Sequence, residues 1–249
     1  MQHSKFTSPL RRTLCASFAV FALGSLVAPA THAQSYPNKA IKFVVPFSAG
    51  SATDNVGRII AQAMSDAWGQ PITIENKAGA NGILGAEAVK AAPADGYTFL
   101  VTTSTTQAAN VHLYRKLPYD PVKDFTPIGK IGEVGFILMV NNDFPAKDMK
   151  EFVSYAKAHP GKLAYGHGSS GSLVSAAMLT ELAGLQTVGV PYKSIPPALT
   201  DLLGGQIQFA FADTGNAVSQ MNGGRMRGLG VTTKKRAGKA PNVPPIGDT

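Results

Sequence analysis

The sequence predicts an α/β protein of two lobes, and three observations carry that prediction. From Tyr36 onward, short β-branched runs alternate with amphipathic stretches, the order that builds parallel sheets with helices on their faces. Several strand ends run through a patch of small residues directly into a helix. Composition changes once, across Tyr119–Gly129, where Pro121 and Pro127 fall, so the lobes join near Pro121–Lys130. A chain of 249 residues is long enough for this division.

The first 35 residues differ in kind from the rest, and residues 1–33 read as a signal peptide. Lys5, Arg11 and Arg12 precede the apolar run Leu14–Ala28, and small residues follow up to Ala33. This is the layout of a cleaved secretory signal, with Thr31 and Ala33 as the small residues before the cut. The run falls short of the ~20 apolar residues a membrane span needs, and the residues around Arg11-Arg12 match a twin-arginine signal poorly. Cys15 is the chain's one cysteine and would leave with the signal. The mature chain would then hold no disulfide and no cysteine-bound metal. Without the signal's three basic residues, 20 Lys+Arg face 15 Asp+Glu, and the formal charge falls from +8 to +5. These charges are scattered. The nearest to a cluster, Lys234-Lys235-Arg236, has no interleaved aromatics, so a nucleic-acid partner is set aside.

Beyond the signal, Ile41–Val45 reads as the first strand. Asn55–Trp68 carries Val56, Ile59, Ile60, Ala63, Met64 and Ala67 at helical spacing and is closed by Gly69 and Pro71. Pro71–Glu75 is a strand, and Gly82–Ala92 a helix ended by Pro93. The turn Ala94-Asp95-Gly96 leads into a strand over Tyr97–Thr103. Past the boundary, Val134–Val140 is a long apolar run. Met149–Ala158 is a helix capped by Asp148, with Met149, Phe152, Val153 and Ala156 on one face. Strands at Leu163–Tyr165, Val188–Tyr192 and Ile207–Ala212 then alternate with helices at Gly171–Ala183, Pro196–Leu203 and Ala217–Met221. Leu229–Thr232 is the last strand. The expected division is lobe 1 over 34–125, lobe 2 over 126–228, and the start of a return to lobe 1 over 229–249. No C-terminal helices follow to close the first lobe, so the expectation is either that its C-terminal part is missing or that this division into lobes is wrong.

Three loops could carry chemistry. Phe47-Ser48-Ala49-Gly50-Ser51-Ala52-Thr53-Asp54 joins a strand to a helix. Small side chains let a ligand reach the backbone, and the helix start offers unpaired N–H groups and a positive dipole end. Neither Gly-x-Gly-x-x-Gly nor Gly-Lys-Ser/Thr is present, so no nucleotide cofactor is implied. Asp54 can hold an ordered water or an amine, while Thr53 or Asp54 as a plain helix cap is an equal alternative. The second loop, Asn76-Lys77-Ala78-Gly79-Ala80-Asn81-Gly82, has the same form. In a parallel sheet the two loops share an edge, so their N–H groups can converge on one anion. Without a phosphate-gripping lysine, that anion fits a carboxylate. In the second lobe, Ser169, Ser170 and Ser172 surround a further helix start. None stands in Gly-x-Ser-x-Gly, so the serines are not a nucleophile elbow. His112, His159 and His167 lack zinc-ligand spacing.

The runs YPNKAIKFVVPFSAGSATDNVGRIIAQAM, IENKAGANGILGAEAVKAAPADGYTFLV, LPYDPVKDFTPIGKI and VPYKSIPPALTDLLGGQIQFAF resemble the Bug-type proteins, the periplasmic substrate-binding components of tripartite tricarboxylate transporters. The resemblance covers essentially the whole chain after the signal. It departs at Gly50-Ser51, where the family usually has Gly-Gly, and at Tyr192-Lys193-Ser194, where it usually has Tyr-Lys-Gly; the family also runs on beyond Thr249. It implies a two-lobed clamp of the type II periplasmic-binding-protein kind, closing over a small carboxylate by a hinge near Pro121–Lys130 and at the return strand. Contacts carried over from the family fall on Ser48, Ala49, Ser51, Asp54, Ala78, Gly79 and Ala80, with Phe47, Gly50 and Asn81 in the same loops. Second-lobe residues near Ser169, Ser170 and Ser172, and Asp213, would read the rest of the ligand; Asp213 as a simple turn cap is an equal reading. Di- and tricarboxylates, acidic amino acids and aromatic acids are the ligand classes implied, with transporter membrane subunits as partners and no metal. A monomer is expected. Service to a membrane sensor kinase is the alternative role, and hydrolysis of small acids is a remote one.

Overall fold

In β1 (Ile41–Val45) every residue but Lys42 is buried. A strand buried on both faces belongs at the centre of a parallel sheet, and β1 lies there. The connection from β1 runs into α1 (Ala52–Trp68), which ends on left-handed Gly69, whose N–H bonds Ser65 O. Next come β2 (Ile72–Asn76), a 3₁₀ turn (Ala80–Gly82), α2 (Ile83–Lys90) and β3 (Thr98–Leu100). The sheet order is β2-β1-β3, and both pairings are parallel. From α1, Ile60, Ala61 and Met64 cover Ile41, Phe43 and Val45. Ile83 and Ala86 of α2 pack instead with Leu100, Leu117, Tyr119 and Phe125. The computed structural model that shows this describes residues 35–248, so the expected signal and Cys15 lie outside the described residues.

Two features here depart from the sequence reading. α1 starts at Ala52, three residues early, because Ser51 caps it. After β3, a π-helical turn (Thr105–Ala109) leads into the short α3 (Asn110–Leu113). Thr105, Thr106 and Asn110 are buried there without an apolar pattern to announce them.

The second sheet holds β4 (Phe136–Asn141), and α4 (Met149–Ala158) follows, capped by Asp148 as predicted. β5 (Leu163–His167), α5 (Ser170–Leu182), β6 (Thr187–Pro191), α6 (Ile195–Leu203), β7 (Phe209–Asp213), α7 (Thr214–Asn222) and β8 (Met226–Val231) complete it. Strand order is β6-β5-β7-β4-β8; β5 is parallel to both its neighbours, and β4 antiparallel to both of its own. Alternation along β4 divides the core. Ile137 and Met139 face Ala198, Leu199 and Leu202 of α6 and Ala217 of α7. Leu138 and Val140 face Phe152 of α4 and Ala176 of α5. Each such large side chain, fully buried, contributes about 1.5–3 kcal/mol. This α/β, two-lobed architecture is the fold class read from the sequence.

One expectation is corrected. Leu229 does not begin a return to the first lobe, because β8 pairs with β4 at the edge of the second sheet. Leu229 and Val231 are buried in that lobe, and Ala240 and Val243 pack into the same core. The physical reason is that β4 would otherwise present an unpaired edge. β8 is therefore part of the second lobe; among the described residues, the covalent link between the lobes is the stretch between Phe125 and β4.

Candidate ligand site

Parallel strands put the loops that leave them on one edge. At the first sheet these are the connections after β1, β2 and β3. At the second they are those after β5, β6 and β7. The edges are tied together: Thr105 Oγ1, after β3, lies 2.9 Å from Ser170 Oγ at the start of α5 and accepts from Ser170 N at 3.2 Å. Both residues are buried.

In the first loop, Asp54 is 1 % exposed and serves as an internal anchor. Its Oδ2 accepts from Gly50 N and from Arg58 Nε, each at 2.9 Å, and its Oδ1 from Asn76 Nδ2 at 2.8 Å. Burial by itself raises this carboxyl's pKa, but hydrogen bonds from Arg58, Asn76 and Gly50, with the charge of Arg58, outweigh it and leave the pKa lowered. Ser51 Oγ accepts from Asp54 N at 3.2 Å as the helix cap, and Ser51 N donates to Ser48 O. These bonds leave the N–H groups of Ala52 and Thr53, in the first turn of α1, without an acceptor among the described residues. The Phe47 side chain is core, while its carbonyl accepts from Asn76 Nδ2 at 3.1 Å. Ser48 is half-buried, and Ala49 and Gly50 are exposed.

The second loop is pressed against the first. A Cβ on Gly85 would lie 2.6 Å from Pro46 Cβ, and one on Gly82 2.7 Å from Thr106 Cγ2. Gly79, Ala80, Asn81 and Gly82 all have positive φ, a conformation that costs non-glycine residues on the order of 1–3 kcal/mol each. Asn110 holds it in place. It accepts from Asn81 Nδ2 at 2.9 Å and donates to Asn81 O at 3.1 Å. Tyr119 Oη, 3.3 Å from Asn110 Nδ2, donates in turn to Thr106 O at 2.7 Å. Ala78 is half-buried and Ala80 exposed.

At the second sheet, Ser169 and Ser172 form a reciprocal capping box on α5. Ser172 Oγ accepts from Gly168 N and Ser169 N and donates to Ser169 O, so its hydrogen-bonding capacity is filled. Among the described residues no hydrogen bond joins these serines to His167, whose pKa burial lowers. Asp213 caps α7, accepting from Asn216 N and Nδ2 at 2.9 Å each. Thr105 and Asn110 have no counterpart in the sequence reading, and Ser194 stands there only as a departure from the family's Tyr-Lys-Gly, not as a site residue. Ser194 precedes α6, is 1 % exposed, and its hydroxyl has no partner among the described residues. Its signal was present in the sequence as a helix-start serine followed by Ile195-Pro196-Pro197.

Comparison with known proteins places the chain as a whole. The sequence profile of the family described as "Tripartite tricarboxylate transporter family receptor" matches residues 56–249. Protein BugT of Bordetella pertussis is 31% identical over 240 residues, covering 94% of this chain and 73% of its own. A Cupriavidus necator protein of the UPF0065 group is 35% identical over 255 residues, with 99% and 74% covered. Among solved structures, an R. palustris protein with adipate is similar at TM-score 0.83 and 34% identity. MatC from Rhodopseudomonas palustris with bound malate follows at 0.80 and 36%, and the periplasmic binding protein BugD at 0.81 and 34%. Each of the three covers 86% of this chain, which spans 72–73% of theirs.

Proposed function

Because this chain belongs to the family of tripartite tricarboxylate transporter receptors, we propose that it is an exported binding protein that captures a small carboxylate between its lobes and presents it to membrane subunits of such a transporter. One observation carries the reading. The loops after β1 and β2 are locked together with their own carboxylate, Asp54, already satisfied, so the anion they suit comes from outside. The first-turn N–H groups of α1 and the positive end of its dipole would hold one carboxylate, with Ser48, Ala49, Ala78 and Ala80 as the surface it meets. Ser169, at the mouth of α5, would face the rest of the molecule. Asp54, Ser51, Asn81, Ser172 and Asp213 would act by holding the loops rather than by touching the ligand. The adipate and malate in two similar structures support aliphatic dicarboxylates as the class. Closure would turn on the link between Phe125 and β4.

A melting screen against adipate, malate, glutamate, citrate and benzoate tests this. A ligand at 100 times its Kd should add ~2.7 kcal/mol of stability. Ala49→Asp, which sets a negative charge at the loop, should abolish that shift and leave the ligand-free melt in place. Flat melting across the panel with wild-type protein sinks the proposal.

A further inference from the structure

Ser194 stands at the N-cap of α6 with a fully extended backbone, φ −171 and ψ −179. A serine there normally turns its Oγ to accept the N–H of the second or third helical residue. Here those residues are Pro196 and Pro197, which have no N–H. The cap bond is ruled out by covalent structure, and among the described residues the hydroxyl has no partner although the residue is buried. Buried hydroxyls are rarely left so, because desolvation without a hydrogen bond is unfavourable.

Its surroundings fix where that residue sits. A Cβ on Gly168 would lie 2.2–2.5 Å from the Ser194 backbone, so the exits of β5 and β6 touch at this point. Tyr192 N donates to His167 O at 2.8 Å, and Tyr192 Oη donates to Asp201 Oδ2 at 2.7 Å. Burial and the Asp201 carboxylate push the Tyr192 pKa up to about 12, so it stays a neutral donor and ties the connection to α6. Ser194 is thus held beside the Gly168–Ser172 loop, whose Ser170 meets Thr105 of the first lobe. Two helix N-termini, those of α5 and α6, make this region favourable for an anion. The nearby carboxylates are already satisfied, Asp201 by Tyr192 and Asp213 by Asn216.

We propose that the Ser194 hydroxyl donates a hydrogen bond to a second carboxylate of the ligand, at the end remote from the Phe47–Asp54 loop, and so selects dicarboxylates over monocarboxylates. This rests on the carboxylate-capturing function proposed above and adds to it which side chain chooses the class. Because Ser194 makes no cap bond, removing its hydroxyl subtracts nothing from α6.

The test is isothermal titration of purified wild-type protein, Ser194→Ala and Ser194→Gly with three matched pairs: succinate and butyrate, glutarate and pentanoate, adipate and hexanoate. Wild type should prefer at least one dicarboxylate over its partner. Both variants should melt as wild type without ligand, lose about tenfold in affinity for that dicarboxylate, the worth of a hydrogen bond to a charged group, and bind the monocarboxylate unchanged. Equal dicarboxylate affinity in all three proteins overturns the assignment, and means that water satisfies the hydroxyl. Parallel losses for both members of a pair also overturn it, because they mark general damage to the site. Wild type that binds none of the six acids overturns the carboxylate function itself, and this proposal with it; that outcome is told apart by failing before any variant is compared.

Discussion

Replacing Asp54 with asparagine tests whether its carboxylate anchors the loop or meets the ligand. Oδ2 takes Gly50 N and Arg58 Nε, and Oδ1 takes Asn76 Nδ2. An amide of the same shape keeps one acceptor and turns the other position into a donor. That donor must face either Asn76 or the Gly50–Arg58 pair, so at least one buried hydrogen bond becomes a donor–donor contact. Such a loss is worth roughly 1–3 kcal/mol. The ion pair adds little to it, because the Arg58 side chain is half-exposed. We expect about 2 kcal/mol, hence a Tm lowered by ~4–8 °C at 2–4 °C per kcal/mol for a domain of this size. The pH dependence has a definite sign. The folded pKa is lowered, so the contribution of Asp54 is fully present above the unfolded value of about 3.9. It is lost as pH falls through the folded value. Urea midpoints of wild type and variant should therefore differ at pH 7 and converge below pH ~4. Carboxylate affinity should fall together with stability if the loop is the binding surface proposed above. Unchanged stability with abolished binding would refute the anchor and make Asp54 a ligand contact.

Two further substitutions probe the pieces that hold the site. Asn110→Leu removes both bonds to Asn81 and the contact to Tyr119. It should cost about 2–3 kcal/mol in urea unfolding, and an unmoved midpoint would mean that the Gly79–Gly82 conformation needs no support. Thr105→Val keeps the shape and removes the hydroxyl that meets Ser170. We expect a loss of about 1 kcal/mol and a larger radius of gyration by small-angle scattering of ligand-free protein; superimposable scattering curves would remove Thr105 as a tie between the lobes.

The parts of the fold legible in the sequence are those written in periodicity. Met149–Ala158 and its Asp148 cap emerge unchanged, because an amphipathic stripe and an acceptor at its head are local signals. β8 was legible as a strand but not as a member of the second sheet, since its partner β4 lies some ninety residues away and either lobe could supply an edge. The turn Thr105–Leu113 was not legible. Its buried residues are threonines and an asparagine, whose burial depends on partners such as Asn81, Tyr119 and Ser170 that no local pattern names.

The candidate site shows a related limit. Sequence reading favours polar side chains beside helix starts, and those residues are ones that helix starts consume. Ser51, Ser169 and Asp213 each cap a helix, Ser172 completes the capping box of α5, and Asn81 bonds Asn110. What their engagement leaves over is backbone N–H groups and the space beside small residues. That space is set as tightly as any side chain would set it, since a methyl group at Gly85 or Gly168 would strike Pro46 or the Ser194 backbone. Selectivity in such a site must come from groups that the caps do not use. Ser194 is conspicuous for this reason: two prolines remove the donors it would have capped, and so leave its buried hydroxyl without a partner among the described residues, while Ser170 and Ser172 close by are engaged.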